Sequence, residues 1–260
     1  MCTSIHFLAV RPSGGVELTL SILYRDQNLI VINKPAGLFV HRTALDRSAS
    51  VFALQTLRDQ IGEKVYPVHR LDRATSGALI FALSKEGARE MSSLFSSAGV
   101  LKTYLAIVRG GPIESQALSH PLREILDKKT DRLARRDKEP QEAITEFETL
   151  DTVELPVQVD KYPTSRYSLI QARPKTGRKH QIRRHLHHLG HPIIGDTTYG
   201  KSKHNHFFES TFKVKRLFLA CIEVEFDDPF SDQRICVKAP LDPSYLEVLK
   251  RLNWEKSLEA

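Results

Sequence analysis

The chain has 260 residues, 41% hydrophobic and 27% charged, a soluble globular balance with enough length to bury a core without metal or disulfide staples. Three widely spaced cysteines (Cys2, Cys221, Cys236) form no CxxC pair, and no apolar run is long enough to span a membrane or flanked like a secretory signal; this argues against a disulfide scaffold and for a reducing, cytoplasmic setting. The net charge of +7 is concentrated: 161–195 holds eight Lys/Arg and no acid, leaving the rest near neutral, which is the footprint of a nucleic-acid binder.

Residues 1–18 have no strong period and contain Pro12-Ser13-Gly14-Gly15, so 1–19 reads as a tail or short edge element. Apolar runs at 20–25 and 28–33 around Asp26-Gln27 predict strand, turn, strand, and Lys34-Pro35-Ala36-Gly37 ends the second. Val51, Leu54, Leu57 and Ile61 stand at helical spacing over 50–61. Then comes His69-Arg70-Leu71-Asp72-Arg73-Ala74-Thr75-Ser76-Gly77, one carboxylate between two arginines. Positive neighbours favour an ionised carboxylate, and a positioned carboxylate can be a nucleophile. Arginines grip phosphate or stack on bases. Taken alone, the loop reads sooner as a surface ion pair, and the rest of the chain turns that reading round.

A strand is expected at 78–83, then a helix over 85–98 with Ser84 as N-cap and Gly99 as stop. Residues 102–108 read as a strand carrying Tyr104. The charged, apolar-poor stretch 123–142 reads as an exposed excursion, structural or RNA-contacting. Strands are expected at 144–153 and 166–172. Pro174-Lys175-Thr176-Gly177 turns into a helix over 178–189, ended by Gly190. Ile182, Leu186 and Leu189 would face the core, with Lys179, Arg183 and His187 on another face. A loop from Gly195-Asp196 through Tyr199-Gly200 precedes strands at 216–226 and 234–239, a helix at 243–252 and a tail at 253–260. With no repeat or linker, 20–252 reads as one catalytic domain. Frequent hairpins among mixed elements predict an α+β fold with a mostly antiparallel sheet.

Other chemistries fit less well. His180, His185, His187, His188 and His191 lack the HExxH spacing and have no cysteines beside them, so RNA-facing or helix-surface roles are preferred to metal binding. Cys221 and Cys236 lie in apolar strands and read as packing residues. The companions of a kinase HRD loop are missing.

Three segments carry a resemblance: HRLDxxTSG at 69–77, Lys102-Thr103-Tyr104, and TGRxHQIRxHLxxLGHPIxGDxxYG from Thr176. In this order they resemble the RluA-type family of pseudouridine synthases, over roughly 20–240. The stretches 40–47, 57–62 and 161–167 are similar to a tRNA-modifying branch of that family. The resemblance implies a pseudouridine synthase fold, a central sheet flanked by helices and loops with a catalytic cleft across it. It implies isomerisation of one tRNA uridine, uridine-65, at the junction of the T and acceptor stems. It implies no cofactor, with tRNA as the partner; with no long exposed apolar stripe in the sequence, a monomer without metal is expected.

In family terms Asp72 is the essential carboxylate, acting on sugar or base. Arg183 is its salt-bridge partner, and Tyr104 stacks on the uracil and can take part in proton transfer. Arg70 fills the stack vacated by the flipped base. His69 and Arg73 flank the same loop as RNA-binding residues, and Arg178, Lys179, His180 and Arg184 contact phosphates. About 20 residues before the catalytic domain are too few for an S4 RNA-binding domain. Ala74 stands where the family often has proline, which softens the loop slightly. Three alternatives stay open: an rRNA synthase, an RNA-binding or tRNA-folding protein with incidental catalysis, and a glycosidase, though no second acid is placed for a carboxylate pair.

Overall fold

The computed structural model describes residues 18–41, 51–125, 139–231 and 233–258. Most of the 1–19 segment and of the 123–142 excursion therefore lies outside the described residues. Among those described, ten strands form one sheet whose central path runs β1 (Ser21–Arg25), β2 (Leu29–Lys34), β4 (Ser76–Ala82), β9 (Leu219–Asp227), β5 (Leu101–Arg109), β8 (Ser165–Pro174), β7 (Ile144–Leu155) and β6 (Gln116–Ser119). β3 (Tyr66–Pro67) joins β4, and β10 (Arg234–Lys238) joins β9. The helices are α1 (Ala53–Ile61), α2 (Lys85–Ser96), α3 (Gln181–His188), α4 (Ser202–Phe212) and α5 (Pro243–Arg251).

β4 is buried at every position, as its unbroken apolar run Ala-Leu-Ile-Phe-Ala requires of a strand covered on both faces. Every pairing between these strands is antiparallel except β4 with β9, where Ser76 meets Ala220 and Gly77 meets Cys221. That approach demands glycine. Gly77 has φ +110°, and a Cβ there would lie 2.0 Å from the Cys221 carbonyl oxygen. The end of the Asp72 loop is thereby seated on the centre of the sheet, with β5 and Tyr104 on the other side of β9.

Several boundaries differ from expectation. The first helix starts at Ala53 because Phe52 is still extended and bridges Phe39; Val51 lies outside it, 47% exposed, so only part of the expected stripe packs. The helix expected over 178–189 is Gln181–His188. His180, at φ +56°, and the Gln181 side chain close its start: Gln181 Oε1 accepts from Thr176 Oγ1 at 2.7 Å and from the Arg178 amide at 2.9 Å. Lys179 thus shares no helical face with Arg183. α4, in a stretch to which the sequence reading assigns no element, is a helix poor in strong helix formers (Ser, His, Asn, Phe, Thr). Burial of His204, Phe208 and Phe212 at i, i+4 and i+8 holds it. β3 and β6 were not anticipated. Cys221 is buried, but Cys236 points outward from the alternating strand β10 and is not a packing residue. Trp254 sits in the core, and a 3-10 turn follows at Lys256–Leu258.

Candidate active site

The Asp72 loop is clasped against the end of β2. Lys34 is fully buried, and its Nζ donates to the carbonyls of Pro35 (2.9 Å), Leu38 (2.8 Å) and Arg73 (3.1 Å). Burial pulls the Lys34 pKa down to about 7, with Asp72 opposing and Arg216 adding to the fall. Three acceptors match the three N–H groups of the ammonium, so the charged form is the one this geometry fits. The Gly37 amide donates to the Arg73 carbonyl (2.8 Å), and Arg73 Nε returns a bond to Gly37 (3.1 Å). Across the loop, Arg216 donates to Ser76 Oγ at 2.7 Å and is ion-paired to Asp242. Replacing Lys34 with Met leaves these carbonyls unpaired; we expect a loss of about 3 kcal/mol. By thermal melting that is a drop of roughly 10 °C, and an unchanged melt would refute the clasp.

Opposite Asp72 stands Arg183, its side chain 8% exposed. Nη1 donates to Asp72 Oδ2 at 3.0 Å, while Nε and Nη2 grip both oxygens of Asp196 at 2.7 and 2.9 Å. Such a bidentate fork fixes the guanidinium plane. Asp196 is buried and also accepts the amides of Thr198 (2.8 Å) and Tyr199 (3.0 Å). Burial works against the Asp196 charge, but the Arg183 bonds and those amides outweigh it and hold the carboxyl below its usual range. Burial likewise opposes the Arg183 charge; Asp196 first, then Asp72, overcome it and push the pKa up. The Asp196 loop is fixed through Gly195, whose φ is +78° and whose Cβ would lie 1.6 Å from the Arg216 carbonyl oxygen.

His180 Nε2 lies 3.8 Å from Asp72 Oδ1 and its Nδ1 meets Tyr199 Oη at 3.0 Å. Tyr104 is buried beside Cys221 and within electrostatic reach of Asp72. Burial, then Cys221 and Asp72, push its pKa far up, so the phenol holds its proton. That favours a donor role over a base. Asp72, Arg183 and Tyr104 are thus brought together.

The other expected residues divide. Arg70 is exposed, and no described residue hydrogen-bonds it. Arg73 is exposed too, its guanidinium 4.6 Å from the Phe39 ring centroid. His69 braces the fold: Nε2 accepts the Ile80 amide at 2.9 Å and the ring stacks on Phe95 at 4.6 Å. Burial and then Lys102 lower its pKa to about 3, which leaves it neutral. Arg178 donates to the Glu142 carbonyl, Lys179 to that of Ile125 and Arg184 to that of Arg123. These three cations secure both ends of the charged excursion beside the site. Of the remaining histidines, His185 is buried between Thr145 Oγ1 and the His120 carbonyl, and His188 stacks on His120.

The basic window is not one patch. Arg173 and Lys175 pair with Glu148 (3.5 Å) and Glu146 (2.8 Å). They line a groove of about 690 Å³ with Leu101 and Thr103, whose side chains alternate with that of Tyr104 and so face the other side of the sheet. The expected set omitted Lys34, Asp196 and Arg216. Asp196 had a signal in the Gly195-Asp196 turn; Lys34 and Arg216 had none beyond a buried cation's need for partners.

Comparison with known proteins gives a consistent picture. The model of the RNA pseudouridylate synthase family matches residues 28–188. Two relatives named tRNA pseudouridine synthase C are similar along almost their whole length. The one from Vibrio cholerae is 48% identical, over 92% of this chain and 98% of its own. The one from Pasteurella multocida is 49% identical, with the same coverage of both chains. Among solved structures, human RNA pseudouridylate synthase domain containing 1 superposes with a TM-score of 0.64 at 25% identity, over 94% of this chain and 98% of that one. Human RNA pseudouridylate synthase domain containing 4 shares the fold, with a TM-score of 0.68 at 24% identity, over 90% and 93%.

Proposed function

The chain belongs to the RNA pseudouridylate synthase family, and on that premise we propose that it isomerises one uridine of tRNA, at position 65, with Asp72 as the essential carboxylate. The observation that carries the proposal is the Arg183 fork, which aims one nitrogen at Asp72 while Asp196 holds the other two. The names borne by the full-length relatives support tRNA as the substrate class.

The chemistry is closed. The bond from N1 to C1′ breaks, the uracil turns, and C5 bonds to C1′. C5 loses its proton and N1 gains one, so no redox partner or group donor enters. Asp72 acts on the sugar or the base while Arg183 stabilises its charge. Tyr104 stacks on the uracil and its retained proton is available for transfer. A base in a stem must first be flipped out, at a cost of a few kcal/mol, and the exposed Arg70, hydrogen-bonded by no described residue, is suited to fill the gap. Arg73, Arg178, Lys179, His180 and Arg184 surround the site as backbone contacts, while His69 acts through the fold. No described helix is long and apolar enough to cross a membrane, which with the cysteine pattern supports action in the cytoplasm.

Tyr104→Phe keeps the ring and loses the hydroxyl. We expect tRNA affinity within about twofold of the parent and a rate about 10²-fold lower; an unchanged single-turnover rate would remove the proton role. The assignment itself is tested by carbodiimide and primer-extension mapping of RNA from cells with and without the gene. One tRNA signal should vanish. Loss confined to rRNA would overturn the substrate assignment.

A further inference from the structure

We infer that the groove between α4 and the turn at 156–164 is a second RNA-docking surface, which takes a stretch of the same tRNA outside the target stem. The inference rests on the tRNA reading above. α4 has two faces. His204, Phe208 and Phe212 are buried, while Lys203, His206 and Ser210, at i, i+3 and i+7, look outward over an open groove of about 560 Å³. Phe207 lines the groove and stacks on Tyr167 with planes 7° apart, which fixes this wall of the groove to β8. Lys203, 66% exposed, and Lys215, 80% exposed, stand on the rim. On the facing turn Lys161 and Tyr162 are exposed, Tyr162 at 67%.

Charge and shape select a polyanion with unpaired bases. The carboxylates near these lysines are Asp160, 2.7 Å from Lys203, and Glu209, 3.1 Å from Lys215. Exposed ion pairs of this kind contribute about 0–1 kcal/mol, so phosphates can displace them at little cost. Lys161 makes no ion pair among the described residues, though it adds to the positive field on Asp160. An aromatic ring this exposed beside lysines offers a stacking face for an unpaired base.

The groove is tied to the site through the start of α4. His180 links Asp72 to Tyr199, two residues before Lys201 caps α4. The first turn of α4 is bonded to the Asp196 loop, since Asn205 accepts the Gly195 amide and donates to the Asp196 carbonyl. From there α4 extends about 16 Å. Tyr167, on which Phe207 stacks, pairs with Arg109 and is offset by an odd number of residues from Ala172, the partner of Tyr104, so this wall of the groove packs on the sheet face opposite Tyr104, and a tRNA seated at Asp72 reaches the groove only with a stretch outside the target stem.

The experiment compares complete tRNA with an isolated stem–loop carrying the target uridine. The enzyme is tested with Lys161, Lys203 and Lys215 all changed to Ala, and separately as Tyr162→Ala. For the triple variant on complete tRNA, KM should rise about tenfold or more, and the log–log salt slope of binding should shrink by about 1 per lysine. Its kcat should hold, and its KM for the stem–loop should move less than about twofold. Tyr162→Ala should weaken tRNA binding about tenfold with the salt slope kept. Unchanged binding of complete tRNA, or equal losses on both RNAs, would overturn the docking surface. Failure of the unaltered enzyme on both RNAs would instead overturn the tRNA reading.

Discussion

Asp72→Asn is expected to abolish pseudouridine formation, lowering the single-turnover rate by about 10⁴-fold or more, ~5.5 kcal/mol of transition-state stabilisation. The substitution keeps the shape and leaves an amide oxygen for Arg183 Nη1, now 3.0 Å from Asp72 Oδ2. What it removes is the nucleophilic carboxylate. Arg183 keeps its fork on Asp196, so the fold should survive with a melting shift of about 4 °C or less. tRNA affinity should hold or rise, because one negative charge leaves a site that meets phosphate. Activity within tenfold of the parent would remove Asp72 from the chemistry. Lost activity together with a collapsed melt would assign it a structural role.

The second large effect is expected at Asp196, which touches Asp72 only through Arg183. Asp196→Asn strips a buried cation of its main counter-ion. A broken buried pair costs about 3–5 kcal/mol, so the melt should fall by roughly 10 °C or more. The surviving folded enzyme should lose about 10²-fold in kcat with little change in KM, because Arg183 no longer holds Asp72 in one orientation. The changes should not add. Once Asp72 is Asn, the further substitution of Asp196 should lower the residual rate little while still lowering the melt. Full additivity of the rate effects would show that Asp196 acts independently of Asp72, and a positioning role would be lost.

Much of this molecule is legible in the chain because local and global preferences agree. β2 and β4 announce themselves as apolar runs, and Ser84 caps α2 by accepting the Gly87 amide at 2.9 Å, as its place before the helix implies. Asp72 is conspicuous as a lone acid between arginines. What stays hidden is set by contacts distant in sequence. α4 is held by Phe208, which packs on Phe218 and on Phe212, and not by its own propensity. The buried Lys34 reads as an ordinary strand-end lysine until the Arg73 carbonyl, 39 positions away, is brought to it. The basic window misleads in the opposite way. Its cations are adjacent in sequence, yet strand alternation sends Arg173 and Lys175 to one face, while the turn before α3 turns Arg178 and Lys179 toward the carbonyls of the excursion. His69 and Cys236 show the same limit, since one neighbour across the sheet decides whether such a side chain is bound up or exposed.

The reaction proposed for this chain, conversion of one tRNA uridine to pseudouridine, needs no other reactant. Its most direct test uses purified enzyme, tRNA transcribed with tritium at C5 of uridine, and a chelator in place of any added cofactor. Bonding C5 to C1′ expels the label into water. One tritium per tRNA, mapped to position 65, should be released by the parent enzyme and none by Asp72→Asn. No release from tRNA by the parent enzyme, or equal release by both proteins, would contradict it.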